Sequence, residues 1–130
     1  MNQIRAKVVH IKNVNTLHSL TFSLNQQVLQ MLSLELNPNI KVGTVVYLGI
    51  KSTHVAIAKD LKGQLSLENR LKAKVLSIEN GEILSSVCLD IDGFTVESII
   101  GVDSIKSLNL QVDDRVLVLI NASDISILLK

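Results

Sequence analysis

The chain has no tryptophan, three Phe or Tyr residues and one cysteine, and each scarcity removes a class of function. With only Phe22, Tyr47 and Phe94 as ring platforms, single-stranded nucleic acid loses the stacking that usually holds it. Cys88 alone cannot close an internal disulfide. Alternation in Val87-Cys88-Leu89-Asp90-Ile91-Asp92 puts it on the face opposite Val87, Leu89 and Ile91, and no nearby histidine signature activates it, so it reads as a structural thiol. Excess charge is missing as well. Lys and Arg number 13 against 12 Asp and Glu, for a net charge of +1, so no long-range field attracts DNA or an anionic membrane. A small anion bound at one local site is still compatible with this balance.

No apolar run approaches the roughly 18 residues that span a bilayer, and Met1-Asn2-Gln3 does not open a signal peptide, so the expected location is cytoplasmic. There is no Gly-rich phosphate loop, nucleophile elbow or helical zinc motif, and the expectation is a protein that is not an enzyme. His10, His18 and His54 lack metal-ligand spacing. Asp90-Ile91-Asp92-Gly93 lacks the remaining ligands of a calcium loop and reads as a hairpin turn.

What is abundant is Val, Ile and Leu, within a hydrophobic fraction of 47%, and this favours strands over helices. The chain also repeats itself. Asn2-Gln3-Ile4-Arg5-Ala6-Lys7-Val8-Val9 aligns with Asn69-Arg70-Leu71-Lys72-Ala73-Lys74-Val75-Leu76, and Ile40 to Ile50 aligns with Leu110 to Ile120. The offset grows from 67 to 70, so the second copy holds three extra residues around Val102 to Leu108.

The strand signals come in the same order in both copies. Arg5 to Lys12 reads as a first strand, and Leu17 to Leu24 and Leu84 to Ile91 as second strands. Asp92-Gly93 is a two-residue hairpin signal leading into a third strand at Phe94, with Gln26-Gln27 in the corresponding place of the first copy. Asp103 to Leu108 reads as a helical turn, replaced by Asn37-Pro38-Asn39 in the first copy. Two alternating segments then close each copy: Val45 to Ile50 with His54 to Ala58, and Arg115 to Ile120 with Asp124 to Leu128. The expected fold is all-β, two tandem five-stranded Greek-key barrels of OB-like type, covering residues 1–61 and 65–130 with Lys59 to Ser66 as linker. Barrels this small bury little surface alone, so oligomerisation is expected.

Taken in order, Leu71 to Ile78, Asp90 to Val96, Asp103-Ser104-Ile105, Val116 to Ile120 and Ala122-Ser123-Asp124-Ile125 resemble a Mop domain of the molbindin (TOBE-type) family. In the first copy Ile50-Lys51-Ser52-Thr53-His54-Val55 is similar to the family's V-K-S-T-D-V. The resemblance implies barrels that bind molybdate or tungstate at interfaces between copies. It further implies homo-oligomers, trimers or dimers for a tandem chain; the charge balance and scarce aromatics already argue against a direct nucleic acid or membrane partner.

Molybdate at neutral pH is a tetrahedral dianion that can only accept hydrogen bonds, so its site should offer donors and no carboxylates. Lys51, Ser52 and Thr53 meet that requirement. In the family this motif faces an S-A-R-N segment, which here reads Ser66-Leu67-Glu68-Asn69, with Glu in place of Arg. The expectation is that Lys51, Ser52 and Thr53 meet Ser66 and Asn69, within one chain or across an interface. Asn2 with Asn121, Ala122 and Ser123 would form a weaker second site. His54 stands where the family has Asp; Lys7 and Lys74 read as solvent-facing strand charges. The second reading is an oligomerisation or docking module for a molybdate transporter or regulator, with Glu68 marking a lost site.

Overall fold

The computed structural model describes residues 1–128. The first copy contributes β1 (Asn2–Val14), β2 (Leu17–Ser23), β3 (Val28–Ser33), β4 (Val45–Ile50) and β5 (Ala56–Ala58). The second contributes β6 (Asn69–Asn80), β7 (Leu84–Ile91), β8 (Phe94–Gly101), α1 (Val102–Leu108), β9 (Arg115–Ile120) and β10 (Ile125–Leu128).

Alternation explains the first strand of each copy. Ile4, Ala6 and Val8 point inward on β1 as Leu71, Ala73 and Val75 do on β6, while Arg5, Lys7 and Lys72 point out. β1 outruns the expected Arg5 to Lys12 because it serves two partners. Asn2 to Lys7 pair with β4, and the strand then continues to Val14 against β2. Both first strands slip register at the same place, between Val8 and His10 and between Val75 and Ser77, so each carries a bulge at the exposed Val9 or Leu76.

Asp92 and Gly93 adopt φ of +56° and +91°, the left-handed pair that a tight hairpin requires, and Ile91 faces Phe94 across it. The extra residues of the second copy form α1, which ends at Asn109 with φ of +48°, a left-handed cap.

One expectation is corrected. The last strand of each copy does not close its own sheet: the sheet orders are β10-β4-β1-β2-β3 and β5-β9-β6-β7-β8. Ile125 to Leu128 pair with Ile50 to Tyr47, and Ala56 to Ala58 pair with Leu119 to Leu117. The reason lies in the preceding turns. Ser52–His54 and Ala122–Asp124 are single 3-10 turns entered and left in extended conformation, and none of these residues has positive φ. Each of these extended-in, extended-out segments carries the chain onward to the other sheet instead of back along the strand it leaves. The exchange joins both copies in one apolar core running from Ile4, Phe22 and Leu48 to Leu89, Val118 and Ile125.

Candidate functional site

The crossing turns carry the candidate donors, and strand register decides what each turn meets. Ile50 pairs with Asn2 and Ile120 with Asn69, so the Lys51 turn follows the start of β1 and the Asn121 turn follows the start of β6. The Lys51 turn packs on β8 and the Asn121 turn on β3, each being the third strand of the other copy. The expected meeting of Lys51, Ser52 and Thr53 with Ser66 and Asn69 inside one chain therefore does not occur; Lys51 to Thr53 stand beside Asn2 and β8.

Asn2 and Asn69 are buried, and their amides are engaged. Asn69 Nδ2 donates to the Gln30 carbonyl at 2.8 Å, and its Oδ1 accepts from the Gln30 N–H at 2.7 Å. Asn2 makes the same pair with Glu97, both bonds at 2.8 Å. An amide is the one short side chain that can satisfy a donor and an acceptor of an edge strand together. Each asparagine thus fastens the third strand of the opposite copy.

The Lys51 turn has no side-chain cap; Lys51 and Thr53 are exposed and Ser52 is buried. The Asn121 turn is capped by its own first residue, since Asn121 Oδ1 accepts from the Ser123 N–H at 3.3 Å and the Ser123 hydroxyl at 3.2 Å. Two of that turn's donors are therefore directed inward. Ala122 is buried. Ser66 and Glu68 are exposed in the linker, where Arg70 folds back onto the Leu65 and Leu67 carbonyls. His54 Nδ1 lies 3.9 Å from Asp124 Oδ1, an exposed contact between equivalent positions of the two copies.

Glu97 was not anticipated. Its Oε2 accepts from the Ser86 hydroxyl at 2.8 Å. That hydroxyl, then the Ser52 hydroxyl, hold the carboxyl below its ordinary value of 4.5, and the positive N-terminus acts in the same direction. An acceptor thus stands beside the donor turn. The signal was present in the repeat, where Glu97 occupies the place of Gln30, but the first copy lacks a clear turn signal to set that register.

A cleft of about 920 Å³ lies elsewhere, lined among others by Lys72, Lys74, Arg115, Asp60, Asp90 and Asp92. Its carboxylates argue against an oxyanion there. Lys7 is exposed, and Lys74 pairs with Asp113 at 3.4 Å, which agrees with solvent-facing roles. Among the described residues no group of three or more His, Cys, Asp or Glu could hold a metal ion, and no helix is long and apolar enough to cross a membrane.

A duplicated sequence folded into two five-stranded sheets that trade their last strands, with polar turns at the crossing, defines a tandem small-β-domain protein. The TOBE domain family model matches residues 65–127. The probable molybdenum-pterin-binding protein of Haemophilus influenzae is 37% identical over 65 residues, covering 49% of this chain and 94% of that protein. The chain belongs to this TOBE-type molbindin family. The cytoplasmic molybdate-binding protein ModG, in a crystal form with molybdate bound, superposes with a TM-score of 0.91 at 22% identity over 97% of this chain and 94% of its own, and so shares the fold. MopII from Clostridium pasteurianum aligns over 51% of this chain and all of its own at 30% identity and a TM-score of 0.48.

Proposed function

We propose that this protein binds a tetrahedral group 6 oxyanion, molybdate or tungstate, at interfaces between its Mop-like units, and serves in cytoplasmic storage, buffering or sensing. The observation that carries the reading is the Lys51 turn: an ammonium, two hydroxyls and an uncapped turn in sequence, at the family's anion motif, with Lys51 and Thr53 open to a neighbouring chain. Ser66, exposed in the linker, is the residue a neighbour would bring to it. What the molybdenum-linked relatives are named for agrees with this reading. The oligomer is proposed to be a trimer or dimer of tandem chains.

Titration calorimetry of the full chain with molybdate, tungstate and sulfate, run with its mass in solution, tests the proposal. Saturable heat with the two larger anions, lost in Lys51→Ala, is the expected result; an intact oligomer without heat for any anion rejects it.

A second reading follows from one observation, the complete engagement of the Asn2 and Asn69 amides in holding the edge strands. These amides are taken up in joining the two copies within one chain, so the barrels could persist as an oligomerisation or docking module for a molybdate transporter or regulator without a ligand. The same titration separates the readings.

A further inference from the structure

The third strands of the two copies are clasped alike, and at one matched position they differ only by an amide against a carboxylate. Gln30 and Glu97 occupy the same register position, each with its backbone N–H and C=O clasped by an asparagine of the other copy. Each side chain also takes a hydroxyl from the neighbouring second strand: Thr21 Oγ1 donates to Gln30 Oε1 at 2.9 Å, and Ser86 Oγ to Glu97 Oε2 at 2.8 Å. With its oxygen so engaged, Gln30 keeps an NH2 group that can donate outward. Glu97 has none and can only accept.

The difference falls beside the turn that matters. The Lys51 turn packs on the strand that carries Glu97, whereas the Asn121 turn packs on the strand that carries Gln30. Next to the turn with the cation, the protein therefore keeps a carboxylate of its own, and the Ser52 hydroxyl is one of the groups that favour its ionised form.

We infer that Glu97, on the strand against which the Lys51 turn packs, sets the oxyanion affinity of that turn as an internal competitor that holds the Ser86 hydroxyl and repels a second anion. This rests on the reading of the Lys51 turn as an oxyanion site. Its consequence is moderate, readily reversible binding there. Glu97→Gln copies the first repeat into the second: the hydroxyl of Ser86 keeps an acceptor, the charge disappears and a donor is gained.

The test is calorimetric titration of the full-length protein with sodium molybdate at neutral pH, for the native chain, E97Q, K51A and K51A/E97Q, with the fold of each checked by circular dichroism. E97Q is expected to lower the Kd on the order of tenfold, as removal of one nearby like charge would, and the gain is expected to vanish in K51A/E97Q. If the native chain binds and E97Q binds no more tightly, the inference falls and the oxyanion reading stands. A gain that persists undiminished in K51A/E97Q also overturns it, because Glu97 would then act away from this turn. Binding by E97Q with none by the native chain supports the competitor role and rejects native oxyanion binding. Heat from none of the four proteins overturns both.

Discussion

At the scale of the residue, the asparagines that open the two repeats show how one side chain can serve assembly. Asn69 is buried and holds both backbone groups of Gln30. Asn69→Ala leaves those groups without their partner and is expected to destabilise the fold by about 1–3 kcal/mol, read from the shift in urea midpoint. Asn69→Asp should do no better, because a carboxylate cannot donate to the Gln30 carbonyl. Two carboxylates, Glu97 exposed and Asp114 half-buried, give a further expectation. Lys59, 2.9 Å away, then the Gln111 N–H, hold Asp114 below its ordinary 3.8, as the Ser86 and Ser52 hydroxyls hold Glu97 below 4.5. Both folded values lie beneath the unfolded ones. Their stabilisation is therefore complete above the ordinary carboxylate values and is lost as pH falls through the lowered ones. The double variant E97Q/D114N should accordingly lose less stability than the native chain on acidification through that window, in urea midpoints measured at a series of pH values.

At the scale of the element, the hairpin at Asp92-Gly93 does more than reverse the chain. The Asp92 carboxylate accepts from the Gln26 and Gln27 N–H groups at 2.9 and 2.8 Å and from Gln27 Nε2 at 2.9 Å, while Asn25 donates to the Asp92 carbonyl. Gln27 completes the junction through Lys72, giving an Nε2 bond to its carbonyl and accepting its N–H. Asp92→Ala should destabilise the fold by about 1–3 kcal/mol, since these are hydrogen bonds to a charged acceptor; an unchanged melting curve would show the junction to be dispensable. The turn itself was legible, because Asp-Gly supplies positive φ at both central positions. Its long-range partner was not, because Gln26-Gln27 carries no local signal of a role as donor. The first strands were legible from alternation, yet their bulges and full length depend on which partners they meet.

At the scale of the whole molecule, the traded last strands make the two copies interdependent. Ile125 belongs to the second copy by sequence but pairs with Ile50 in the first sheet and is 4% exposed. Ile125→Ala is expected to cost about 2–5 kcal/mol and to speed amide hydrogen exchange in β4 and β1 as well as in the second copy. Protection lost only from β6 to β9 would contradict the exchanged topology. The repeat, the strand count, the Asp-Gly hairpin and the donor chemistry of Lys51-Ser52-Thr53 were all determined by the sequence, because each rests on local periodicity or on residue type. Which sheet receives each last strand, why Asn2 and Asn69 are buried, and that Glu97 rather than a donor stands beside the Lys51 turn were decided by tertiary structure. Those are relations between segments separated by 39 to 95 positions, and only packing two nearly identical copies against each other selects among the alternatives.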